Sequence, residues 1–341
     1  MNARTAACLA GLALLCACAA PPRAPLESAS DGRVSMGTVL EIALYAPEGA
    51  DTAAALEALF AVARRLDALL TVYAPESALS RLNRTAAESP QTIDPEFAAV
   101  LEHSLGYAEL TGGAFDVTVG PLVEVWTRAA KRGAQPSAQE LALARALVGR
   151  DRVRILADGR VGFDRAGVSV NLGAIAKGYA LDRMLPLLAE RNVERALLSF
   201  GQSSTWAVGA PPDAPGWRLL VRGPGGGFVG AVTLKDQALS VSGSLAQFVE
   251  IGGRRYGHVV DPRSGLPIRH RRQALVVAGD ATLAEALSTG LLVLGERDGL
   301  ALVEEQPGCE GLLLDAEGGT WMTSGWQRAV RYETVREMVE P

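Results

Sequence analysis

Hairpin signatures recur through the second half of this chain without the regular strand–helix alternation that a parallel sheet needs. "VRILADGRVGF" turns at Asp158-Gly159, "LLLDAEGGTWM" turns near Gly318-Gly319, and "WRLLVRGPGGGFVGAVTL" turns at a glycine triplet. Strand-like runs flank that triplet on both sides, so it reads as a turn and not as a phosphate loop. Helical periodicity lies elsewhere. Leu56, Leu59, Phe60, Ala63, Leu66, Leu69 and Leu70 recur at three- and four-residue spacings and predict an amphipathic helix over 51–70. Asp94 and Pro95 form an N-cap and first helical position ahead of Phe97, Val100, Leu101 and Leu105, and Ser137 with Glu140 is a capping box. Further helices are expected at 174–190 and about 282–294, and "RVSMGTVLEIALYA" reads as a strand ending at Tyr45. Helices mixed with hairpins, but without regular β-α alternation, specify an α+β fold with antiparallel sheets.

The N-terminus differs in kind. Arg4 precedes an apolar run from Ala6 to Leu15, then "LCACAAPPR". The run is too short to span a bilayer and is followed by small residues, which predicts a signal peptide over 1–17. Leu15-Cys16-Ala17-Cys18 looks like a lipobox, in which Cys18 is acylated and becomes the mature N-terminus; the alternative is plain cleavage after Ala17 or Ala19. Residues 18–31 are rich in proline and alanine and read as a tether, leaving 32–341 as the folded domain. Of four cysteines, Cys8 and Cys16 leave with the signal and Cys18 is blocked by lipid, so Cys309 has no intramolecular partner. Stability must then come from the core, for which a chain 48% hydrophobic has ample material. A net charge of -5 with no basic block argues against a nucleic-acid partner.

Four segments carry residues suited to chemistry. "VSVNLGAIAKGYALDRM" is a β-branched run, a glycine turn and a helix with Lys177 in its first turn. A cation is mildly unfavourable there unless an anion lies between it and the helix dipole, as a bound phosphate would. The other reading is a solvated lysine on an ordinary helix, and "GAIAKG" is not a P-loop. "TGGAFDVTVGPLVEVW" ends a helix with two glycines and offers Asp116 either to a ribose or amide or to its own turn, the capping role being favoured on local grounds. In "RRYGHVVDPRSGLP", His258 sits at a strand end beside a glycine, where it serves as a general base or as a structural residue. His103 and His270 have no comparable setting. "DATLAEALSTGLLVLG" places Glu285 and Thr289 one helical turn apart on one face, and oxygen ligands of this kind suit Mg²⁺.

Taken together, the motifs resemble the ApbE family, the FAD:protein FMN transferases. The stretches that match are "MGT" (36–38), "YAPESALSRLN" (73–83), "GGAFDVTVGPLVEVW" (112–126), "NLGAIAKGYALD" (171–182), "SGS" (242–244), "HVVDPRSGLP" (258–267) and "AEALSTGLLVLG" (284–295), in family order. The resemblance implies an ApbE-like, T-fold-like architecture around an extended cleft holding FAD as substrate. Met36, Tyr73, Ala114, Phe115, Asp116, Asn171 and Val260 fall on family FAD-contact positions, and Lys177 would face the dinucleotide. Mg²⁺ would be held by the Ala174 carbonyl, Glu285 and Thr289 together with pyrophosphate oxygens. His258 matches the histidine that takes the proton from an acceptor threonine, which attacks the FMN-side phosphorus as AMP leaves. The implied partner is a flavoprotein subunit carrying a threonine flavinylation motif. With the lipobox, the expected location is a membrane surface, facing the periplasm or extracytoplasmic side.

Three positions depart from the family pattern. Aspartate is usual where this chain has Glu285 and frequent where it has Asn171, and a glycine pair is common where it reads "FGQSSTWAVG". These changes keep two other activities in view: an FAD-binding lipoprotein without transfer, and a metal-dependent FAD pyrophosphatase yielding FMN and AMP.

Overall fold

The computed structural model describes residues 25–244, 248–268 and 271–335. The signal peptide and Cys18 lie outside the described residues, as does His270. No helix among the described residues is long and apolar enough to cross a membrane.

Strands β1 (Leu26–Ser35) and β2 (Thr38–Pro47) form a hairpin closed by Met36 and Gly37, both at positive φ (50° and 75°). That is the geometry of a tight two-residue turn, which follows the right-handed strand twist. Two strands therefore replace the single one expected to end at Tyr45. The first begins at Leu26, inside the stretch read as tether, because it finds a full partner in β2 from Leu26↔Pro47 to Ser35↔Thr38.

Helices α1 (Thr52–Leu70), α2 (Ala78–Thr85), α3 (Pro95–Leu110), α4 (Gly120–Arg132) and α5 (Ala138–Arg145) follow. Asp51, Ser77, Asp94 and Ser137 cap α1, α2, α3 and α5 through their side chains, and the Ser137–Glu140 capping box forms as expected. A small hairpin, β3 (Val153–Ile155) with β4 (Val161–Phe163), turns at Asp158-Gly159. Next come α6 (Ala176–Glu190), β5 (Arg195–Phe200), β6 (Ser204–Val208), β7 (Trp217–Arg222), β8 (Phe228–Leu234) and β9 (Gln237–Gly243). The chain continues through β10 (Phe248–Ile251), β11 (Arg254–Gly257), β12 (Arg272–Ala278), α7 (Ala281–Glu304), β13 (Glu310–Asp315), β14 (Thr320–Met322), α8 (Trp326–Ala329) and β15 (Arg331–Thr334). Within α7, Gly295 adopts a non-helical conformation (φ 84°), which marks the helix end expected near 294 before a second stretch runs on.

The central sheet has the order β1-β2-β5-β6-β9-β12-β13-β14, and each neighbouring pair is antiparallel. This is the α+β arrangement that the hairpin signatures required. Alternation along β12 shows how the layers are divided. Ala274, Val276 and Ala278 join the cluster under α7, whereas Leu275 and Val277 join a second cluster beneath the small sheet β15-β8-β7. Both faces of the strand are thus buried, and a side chain of leucine or valine size contributes roughly 1.5–3 kcal/mol when fully covered. The same alternation on β6 and β9 aims Ser204, Ser240 and Ser242 at the helix face and Thr205, Leu239 and Val241 at the other.

Candidate active site on the helix face

Helices α6 and α7 meet at their N-terminal ends. Gly178 makes this approach possible, since a Cβ there would collide with the Ala281 carbonyl. Asp182, one turn further on, bridges the two helices. It accepts hydrogen bonds from the backbone amides of Ala281 (2.9 Å) and Thr282 (2.8 Å), from the Thr282 hydroxyl, and from Trp206 Nε1 (2.9 Å). Its carboxyl is raised above the ordinary value, first by burial and then by the nearby Asp280 charge, with the Thr282 hydrogen bonds pulling the other way. Asp280 itself caps α7 through the Leu283 amide at 2.6 Å.

This docking sets Lys177 against Glu285. Lys177 Nζ lies 3.5 Å from Glu285 Oε1, and the Glu285 carboxylate is almost wholly buried, with the residue 3% exposed. The Ser204 hydroxyl, from β6, donates a hydrogen bond to that same Oε1. Oε2 is buried and has no hydrogen-bond partner. A buried carboxylate with one oxygen held and the other unsatisfied is unusual, because leaving a charged acceptor unpaired is costly. One turn on, Thr289 lies 3.4 Å from the Ser242 hydroxyl, within a cluster in which Ser288 meets Ser240 (2.9 Å) and Ser242 (2.8 Å). Glu285 and Thr289 share one face of α7, as their spacing predicted.

The unsatisfied Oε2 and a hydroxyl one turn away on the same helix face are oxygen donors with one carboxylate between them, and Ala174 lies in the exposed turn ahead of α6. Mg²⁺ suits such a set, since it binds few protein groups and completes its octahedron with phosphate oxygens or water. Among the described residues no cluster of three or more His, Cys, Asp or Glu offers an all-protein alternative.

The other candidate residues lie on several different elements. Thr111 at the end of α3 packs 3.1 Å from where a Gly290 Cβ would stand, bringing the 111–116 segment against α7. Ala114 and Phe115 are buried, and Phe115 amide donates to Thr111 Oγ1 at 3.0 Å. Asp116 turns back on its own chain and accepts from the Thr118 amide (2.8 Å) and hydroxyl (2.6 Å). Burial raises its carboxyl, opposed by those hydrogen bonds. The capping role is therefore occupied.

Asn171 is joined to this segment by its amide, which donates to the Val117 carbonyl at 2.7 Å, and its Oδ1 accepts from Gly173 at 2.9 Å to shape the turn into α6. An aspartate oxygen would shape that turn equally well. Met36 holds its positive-φ turn with its amide donating to Asp67 Oδ2 at 2.8 Å. Tyr73, between α1 and α2, is 92% exposed. Val260 belongs to a separate cluster with Leu122 and Trp126, and Trp126 Nε1 donates to the Gly265 carbonyl at 2.9 Å, fixing the Asp261–Gly265 turn. His258 is exposed immediately after β11. The direct contacts thus unite Lys177, Glu285 and Ser204, while Tyr73 and His258 stand at the surface.

A cavity of about 770 Å³ lies on the opposite face of the central sheet, bordered by Thr205, Leu239, Val241, Val221 and Phe228. Volume alone would favour it. The Lys177–Glu285 centre is the better candidate, because it combines an ion pair to a buried carboxylate, an orphaned oxygen and two helix N-termini.

A profile of the ApbE family matches residues 36–313. The FAD:protein FMN transferase of Klebsiella pneumoniae (strain 342) is 32% identical over 338 residues, covering 93% of this chain and 95% of that protein. The FAD:protein FMN transferase of Treponema pallidum is 30% identical over 337 residues, covering 93% of each. Among solved structures, the flavin transferase ApbE from Vibrio cholerae superposes with a TM-score of 0.78 at 26% identity, over 89% of this chain and 99% of that one. The ApbE protein from Thermotoga maritima gives 0.80 at 26% identity with the same coverage. Sequence similarity along nearly the whole chain and a shared fold lead to one conclusion: this chain belongs to the ApbE family.

Proposed function

We propose that the chain is an Mg²⁺-dependent FAD:protein FMN transferase, which moves the FMN moiety of FAD to a threonine hydroxyl of a flavoprotein partner and releases AMP. The observation that carries this reading is the buried Glu285 carboxylate, with Oε1 held by Lys177 and Ser204 and Oε2 left for a ligand. The names of the full-length relatives support it.

In this reading Glu285, Thr289 and the Ala174 carbonyl hold the cation, which when bound neutralises pyrophosphate charge and makes AMP a better leaving group. Beside Glu285, Lys177 and the α6 N-terminus favour a further anion such as a phosphate. The exposed Tyr73 ring offers a stacking surface to a flat heterocycle, and Met36 is half-buried against the main core cluster. The backbone of 114–116 and the Asn171 turn bound the dinucleotide, and Val260 supplies an apolar wall. His258 accepts the proton of the acceptor hydroxyl at its Nε2 or Nδ1; its exposure suits a substrate that is another protein. We place the enzyme on a membrane surface outside the cytoplasm, anchored through lipidated Cys18.

The test is incubation of the purified protein with FAD, Mg²⁺ and a candidate acceptor domain. Covalent flavin on the acceptor with stoichiometric AMP supports transfer. FMN and AMP formed equally without acceptor would make it a pyrophosphatase. Bound but intact FAD would make it a binding protein.

A further inference from the structure

The sheet beneath α7 does more than pack against it. Ser204 is 1% exposed, and its hydroxyl donates to Glu285 Oε1 from a strand whose neighbour, through the pair Ser204↔Ser240, carries the next hydroxyl on the same face. Ser240 and Ser242 meet Ser288, and Ser242 reaches Thr289. Hydroxyls on β6 and β9 therefore address both α7 residues that carry the oxygen donors. A glutamate side chain has three torsions and, unheld, sweeps its carboxylate through several positions. Here Lys177 and Ser204 converge on the same oxygen, which selects one orientation and leaves Oε2 buried without a hydrogen-bond partner.

We propose that Ser204 is a positioning residue for divalent-cation binding: it tethers the longer Glu285 side chain by Oε1 so that Oε2 alone is presented to the metal. This rests on the transferase reading only in taking Glu285 as a metal ligand. The role is specific to glutamate at 285, because an aspartate, one methylene shorter, cannot both reach the serine and extend toward the same cation. Ser204 and Glu285 act as a matched pair, and losing the partners that orient a ligand typically weakens metal binding 10- to 100-fold.

The experiment is a double-mutant cycle read by FAD binding. The FAD dissociation constant is measured by fluorescence titration with and without Mg²⁺, and the ratio gives the metal coupling without any turnover. In the native background, Ser204→Ala should reduce that ratio about tenfold or more, Ser204→Thr should hold it within a few-fold, and both should bind FAD normally in chelator. In the Glu285→Asp background, Ser204→Ala should change the ratio less than twofold. An equal loss in both backgrounds would overturn the tether and leave Ser204 as packing. No loss from Ser204→Ala, while Glu285→Ala abolishes the coupling, overturns this inference alone. If Glu285→Ala leaves the coupling intact, the metal assignment fails and takes the tether with it. Thermal melts of each variant exclude misfolding, and Ser204→Thr, which keeps the hydroxyl, decides the case should Ser204→Ala not fold.

Discussion

Lys177 posed a question in the sequence that its neighbours could not answer. Its carboxylate partner comes from α7, far along the chain, so only the docking of two helices reveals it. Glu285 and Thr289 were legible as a pair because helical spacing alone puts them on one face. Ser204 was not legible: it appeared only as a departure in "FGQSSTWAVG", and a serine in a strand carries no signal of what lies above it. Two predictions belong to single residues. Glu285→Ala should abolish Mg²⁺-dependent turnover, and a chelator should do the same to the native protein, both followed by AMP release; activity surviving either treatment removes Glu285 from the metal site. His258→Ala should slow transfer on the order of 10²–10⁴ while FAD affinity stays within a few-fold, as expected of a base acting on the acceptor. A parallel loss of FAD binding would instead mark the histidine as part of the cofactor wall.

Between elements, the decisive contact is the cap that Asp182 on α6 places over the first turn of α7. It satisfies two amides that the helix itself leaves open. Asp182→Ala should destabilise the fold on the order of 2 kcal/mol or more, by loss of the cap and by leaving buried donors unpaired. The pH dependence has a definite sign. Burial and Asp280 raise the folded carboxyl above its ordinary value of 3.8. Between that value and the raised one the folded state binds the proton more readily than the unfolded chain, so Asp182's contribution falls as pH rises through the window. The stability gap between native protein and Asp182→Ala, measured by denaturant titration, should therefore narrow from acidic pH upward through the folded value; a gap that widens would contradict the raised carboxyl. The α3 and α5 caps were readable from Asp94 and Ser137 because each acts within its own helix. Asp182 caps a helix other than its own, and no local pattern announces that.

Across the whole molecule, the hairpin turns and the lack of β-α alternation made the antiparallel class readable, but not the strand order. Nothing in "VLEIALYA" says that its partner will be "RALLSF". The β1–β2 turn escaped notice because Met36 takes a positive φ that sequence patterns assign to glycine or asparagine. The one prediction at this scale concerns location. Cys18→Ala should move the protein from the membrane fraction to the soluble one; native protein already soluble and without acyl mass on its N-terminal peptide would remove the lipid anchor. The sheet order also has a kinetic meaning. β2 enters the sheet by pairing Leu40 with Phe200, and β9 completes its pairing only when β12 arrives. Non-local ladders of this kind form slowly, because a long loop must close before any contact rewards it. Lys177, Ser204 and Glu285 come from α6, β6 and α7, with 81 positions separating Ser204 from Glu285. A chain whose last third has not yet been delivered cannot bring Lys177, Ser204 and Glu285 together, because Glu285 lies in that third.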